Sequence, residues 1–122
     1  MKIGVLALGR STFDVELANQ NLKKCFNFLK STNYTIIGNC ELLLDAVDTK
    51  KEIERLKKEV IDFVLIIQIT FTDASMTVEI AKEFNQSIGI WSLPEPRQGK
   101  RLSVNSFCGL NLASHALGLN HI

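Results

Sequence analysis

The chain has 122 residues, and 14 Lys+Arg against 13 Asp+Glu leave a formal net charge of +1. Hydrophobic residues at 46% and charged residues at 22% are ordinary globular values and exclude disorder. The near-zero charge argues against an electrostatic nucleic-acid binder, and no apolar run reaches the roughly 20 residues of a membrane helix. The length suits one domain over residues 1–122. Cys25, Cys40 and Cys108 are odd in number and widely spaced. That fits a reducing, cytoplasmic compartment better than a disulfide framework.

The first element is the continuous apolar run KIGVLAL at residues 2–8, the pattern of a strand buried on both faces. The polar loop Gly9-Arg10-Ser11-Thr12 follows. A helix is expected from Asp14 to Lys30, because Val15, Ala18, Leu22, Cys25, Phe26 and Leu29 form one stripe. Tyr34 to Cys40 reads as a second strand, and the ELLLDAVD stretch after it fits a loop or a short helix. Thr49-Lys50-Lys51-Glu52 has the form of a capping box, opening a helix that should bury Ile53, Leu56 and Val60. Glu54 and Lys58 fall i, i+4 on its wet side. Asp62 to Ile67 is the third strand. Asp73 is placed to cap a third helix, with Thr77, Ile80, Ala81 and Phe84 facing inward. Ser87 to Ser92 is the fourth strand. Two prolines and a glycine between Leu93 and Lys100 exclude helix and central strand there. A last helix is expected from Cys108 to Leu117, with Gly118 as its stop.

Strands alternating with helices predict an α/β fold: an open, mostly parallel sheet of about four strands with helices on both faces. Ligands of such sheets bind beyond the carboxyl ends of the strands. That rule selects the loops Gly9–Thr12, Gln68–Asp73 and Leu93–Arg101, where Arg10, Gln68, Thr70, Asp73, Glu95 and Arg97 can converge. Each has a plainer reading: Asp73 as a helix cap, Arg10 as a surface cation, Trp91 as core. Phe71 lies between threonines in a loop, so it either packs locally or meets a partner. A dinucleotide fingerprint and a P-loop are both absent. The two histidines, His115 and His121, are six residues apart and do not share a helix face. Cys40 and Cys108 have no partner at ligand spacing, so no metal ligand and no catalytic residue is assigned within the chain.

The segment Ile90-Trp91-Ser92-Leu93-Pro94-Glu95-Pro96, then Gly99, Arg101-Leu102 and Asn105-Ser106-Phe107-Cys108-Gly109-Leu110-Asn111, resembles the N-terminal region of the L-fucose isomerase-like sugar isomerases, which include the L-arabinose isomerase relatives. The KIGV start and the polar loop after the third strand match in order. The resemblance implies a Rossmann/flavodoxin-like three-layer domain, the N-terminal part of a longer aldose–ketose isomerase. It implies manganese for the full-length enzyme, with the metal ligands in later domains. It implies a homo-oligomer in which this domain lends side chains to a sugar pocket shared with a neighbouring subunit. By position those side chains are Arg10, Gln68, Phe71 and Asp73, joined by Trp91 and Glu95.

Two other readings remain open on the sequence. One is a free-standing sugar-binding or regulatory module, favoured by the lack of visible catalytic groups. The other is an assembly protein, favoured by Leu110, Leu112, Leu117 and Leu119, which cannot all lie on one helix face.

Overall fold

The computed structural model describes residues 1–94, 104 and 106–119. The elements run β1 (Lys2–Leu8), α1 (Val15–Lys30), β2 (Thr35–Ile37), β3 (Leu42–Leu43), α2 (Ala46–Lys57), β4 (Phe63–Gln68), α3 (Ser75–Glu83), β5 (Ser87–Ser92) and α4 (Ser106–Leu119). The strands form one parallel sheet in the order β2-β1-β4-β5, and the two-residue β3 also pairs with β1. This is the expected open α/β architecture.

The sheet separates two cores. On one face α1 lays Ala18, Leu22, Cys25, Phe26 and Leu29 against Ile3, Val5, Ala7 and Ile67. On the other, α2 and α3 bring Ile53, Leu56, Met76 and Ile80 against Leu6, Leu8, Val64 and Ile66. The central strands are thus buried on both sides, which is why they read as unbroken apolar runs. α4 lies on the second face, where Gly109 sits against the Gln68 side chain.

β1, β5 and α1 have the expected limits, with Asp14 capping α1 by accepting from the Leu17 N–H at 3.0 Å. Four expectations are corrected. The second strand is only three residues long, because Gly38 turns the chain at φ 157° so close to β1 that a Cβ there would lie 2.7 Å from the Val5 carbonyl oxygen. Leu42 and Leu43 then rejoin β1 as a separate strand. Thr49 and Glu52 form no capping box: Asp45 caps α2, accepting from the Asp48 N–H at 2.7 Å. Thr49 is already inside the helix, donating to the Asp45 carbonyl, and Glu52 pairs with Arg55. Because α2 ends at Lys57, Val60 falls past the helix and is 71% exposed rather than buried. Finally, α4 continues through Gly118 to Leu119 instead of stopping at it.

Candidate functional site

After β1 the chain moves to one side of the sheet, and after β3 it crosses back to β4 on the other side. The switch point therefore lies between the carboxyl ends of β1 and β4, where such folds open a crevice for ligands. The loops after Leu8 and Gln68 meet there.

The β4 loop is the rigid partner. The Gln68 side chain is completely buried, on the α2/α3 face. Its amide donates to the Thr70 carbonyl at 2.7 Å and to the Thr72 hydroxyl at 3.1 Å. Thr70 and Thr72 are buried as well. The Ile69 and Thr70 N–H groups both reach the Leu8 carbonyl, and the Phe71 N–H donates to the Val104 carbonyl at 2.7 Å. Ser106, at the start of α4, ties this end of the sheet together. Its hydroxyl donates to the Gln68 carbonyl and accepts from the Leu93 N–H at 2.9 Å. Gly109 is required one turn later, since a Cβ there would lie 2.8 Å from Gln68 Cγ.

The β1 loop rests on this base and stays open to solvent. The Arg10 N–H donates to the Thr70 hydroxyl at 2.9 Å, which in turn donates to the Phe71 carbonyl at 3.0 Å. Residues 10–13 form a tight turn closed by the Phe13 N–H on the Arg10 carbonyl. The Arg10 guanidinium makes one long contact, Nη2 to Asp73 Oδ2 at 3.4 Å, and its side chain remains 44% exposed. A guanidinium carries five donors, so most face outward. Phe71 packs on Phe13, with ring centroids 6.2 Å apart, and is half-buried.

Asp73 caps α3 from one position earlier than expected. Ala74 is the N-cap residue, in the left-handed region at φ 71°, and makes no side-chain cap. Asp73 Oδ1 instead accepts from the Ser75 hydroxyl at 2.7 Å and the Ser75 N–H at 3.0 Å. These two bonds, and less strongly the Arg10 charge, hold its carboxyl below the usual carboxylate range. A non-glycine residue with positive φ carries strain of order 1 kcal/mol, a feature that gathers at functional sites. Beside it, a cleft of about 260 Å³ opens between the first turns of α2 and α3, lined by Ala46, Thr49, Lys50, Ser75, Met76 and Glu79.

Arg10, Gln68, Phe71 and Asp73 are thus one cluster. Trp91 lies on the α1 face, where its ring meets Phe28 at 6.0 Å. Glu95 and Arg97 lie outside the described residues, as does the side chain of Cys108. Sequence reasoning missed Ser106 and Thr72; both carry the Gln68 network, and neither has a local pattern that announces it. Among the described residues no three His, Cys, Asp or Glu side chains gather where an ion could sit. Among the same residues no helix is long and apolar enough to cross a membrane.

Comparison with known proteins decides the family. The sequence model for the N-terminal domain of fucose/sulfoquinovose isomerases matches residues 4–122. The chain belongs to that family. It is 34% identical over 110 residues to the sulfoquinovose isomerases of Priestia aryabhattai and Priestia megaterium, covering 90% of this chain and 25% of each relative. The sulfoquinovose isomerase of a Clostridium species is 30% identical over 118 residues, 95% of this chain and 26% of the relative. The chain thus spans about a quarter of the length of the curated relatives it matches. The family match includes the Trp91–Asn111 segment on which the resemblance was read.

Proposed function

We propose that these residues are the substrate-contributing N-terminal domain of a metal-dependent aldose–ketose isomerase, with the metal ligands and proton-transfer groups supplied elsewhere in a longer chain. The observation that carries this reading is the exposed Arg10 guanidinium, held at the switch point by the buried Gln68–Thr70 network in a chain of this family. The outward donors of Arg10 suit sugar oxygens, and the names of its relatives favour a sulfonated sugar, whose anionic group a guanidinium matches well. Phe71 offers an apolar face to the carbon side of the sugar. Gln68 sets the β4 loop on which the Arg10 loop rests, and Asp73 restrains the guanidinium. The sugar pocket is completed by a neighbouring subunit of a cytoplasmic homo-oligomer, and manganese, bound outside these residues, assists proton transfer between C1 and C2.

The direct test compares the 122-residue chain with a family-length enzyme that carries it. The isolated chain is expected to interconvert no aldose and ketose with manganese present, and to release no measurable heat on titration with sulfoquinovose. Manganese-dependent conversion by the isolated chain would refute the division of labour. Tight sugar binding by it would favour a free-standing binding module.

A further inference from the structure

The contact between Arg10 and Asp73 joins the β1 loop to the β4 loop, and its two ends are held differently. The carboxylate is fixed. Its Oδ1 accepts from the Ser75 hydroxyl at 2.7 Å and from the Ser75 N–H at 3.0 Å, and the left-handed Ala74 at φ 71° follows directly. Arg10 is fastened through its backbone, whose N–H rests on the Thr70 hydroxyl. Its guanidinium reaches Asp73 Oδ2 at 3.4 Å, beyond the roughly 2.7–2.9 Å of a strong charge-assisted bond. The cation is therefore free to turn to another anion while the carboxylate stays in place.

Capping does not explain that carboxylate. One oxygen caps α3, and asparagine caps helices as well as aspartate does. What aspartate adds is a full negative charge, 58% exposed, beside a guanidinium that is 44% exposed. Any anion that takes the outward donors of Arg10 must sit next to it. Across a guanidinium fork two anions lie roughly 6 Å apart, where each unit of charge on the newcomer costs about 3-fold in affinity even in water-like surroundings.

That cost scales with the charge of the ligand. A sulfonate carries one negative charge at neutral pH, whereas a phosphate ester carries about −1.5 to −2. Two charges cost about 10-fold where one costs about 3-fold, and a neutral hydroxyl costs nothing. Desolvation acts in the same direction, because its penalty rises faster with charge than the attraction to one guanidinium does. Arg10 alone would favour the dianion, and a fixed carboxylate beside it cancels that preference.

We propose that Asp73 is a specificity-determining residue: it tempers Arg10 so that the site favours a monoanionic sulfonated sugar over a dianionic phosphorylated one. This rests on the reading that Arg10 meets the anionic group of a sugar.

Inhibition kinetics test it in a family-length enzyme carrying these residues, as wild type, Asp73→Asn and Arg10→Ala. Sulfoquinovose is the substrate, and glucose 6-phosphate and glucose are the competing inhibitors. Asparagine keeps an oxygen for the Ser75 donors, so α3 retains its cap. Asp73→Asn should lower the KM for sulfoquinovose about 3-fold and the inhibition constant of glucose 6-phosphate about 10-fold, with that of glucose unchanged. Equal changes for the two anions, a common change for all three sugars, or no change overturns the inference when Arg10→Ala still raises the KM. A wild-type KM in a folded Arg10→Ala enzyme overturns the underlying reading, and this inference with it.

Discussion

The two loops that meet at the switch point are made in opposite ways. The β4 loop buries Gln68, Thr70 and Thr72, and the Gln68 amide N–H groups are taken up by the Thr70 carbonyl and the Thr72 hydroxyl, while Gln68 Oε1 is buried without a partner among the described residues. The β1 loop leaves Arg10, Ser11 and Thr12 exposed and is fastened to its neighbour by the Arg10 N–H and one long ion pair. Buried hydrogen bonds contribute roughly 1 kcal/mol each, and a surface ion pair contributes about 0–1 kcal/mol. Stability therefore belongs to the β4 loop, while the exposed guanidinium sits on the β1 loop. A cation that must meet a ligand is best left unsaturated and placed on a base that does not move.

Breaking the base should have the largest effect. Gln68→Leu strands the Thr70 carbonyl and the Thr72 hydroxyl without their donor, and should lower the unfolding free energy by about 2 kcal/mol in urea denaturation. Thr70→Val removes the acceptor of the Arg10 N–H and the donor to the Phe71 carbonyl, and should cost about 1.5 kcal/mol. Asp73 sharpens the comparison through pH. Its folded pKa is depressed, so its contribution is present above the unfolded value of about 4 and is lost as pH falls through the lower folded value. The carboxylate is 58% exposed, so solvent screening reduces the effect to a few tenths of a kcal/mol, about the value of an exposed pair. The urea midpoint of wild type should thus fall more steeply below pH 4 than that of Asp73→Asn. Smallest of all, Arg10→Ala should change the unfolding free energy by less than about 0.5 kcal/mol. A large loss there would place Arg10 in the scaffold and erase the contrast.

Much of the architecture was legible because burial on both faces leaves an unmistakable pattern. Lys2–Leu8 and Ser87–Ser92 have their expected limits, and Asp14 opens α1 as its side chain suggests. The misjudged places are those where a neighbour in space overrides the local signal. Gly38 ends β2 because of the approach of Val5, and Asp45 wins the start of α2 from Thr49. That Arg10, Phe71 and Asp73 lie at one end of the sheet could be read from loop position alone. The packing around Gln68 could not, since its carbonyl is held by Ser106, 38 residues away, and its side chain lies against a glycine in α4 that lets the helix close on it.

The central claim is that the β1 loop presents Arg10 to substrate, and steady-state isomerase kinetics test it most directly. In a family-length enzyme carrying these residues, Arg10→Ala should raise the KM for the sugar by about 10- to 100-fold, with Arg10→Lys intermediate and the fold intact. Unchanged KM and kcat in a folded Arg10→Ala enzyme would contradict the account and remove Arg10 from the site.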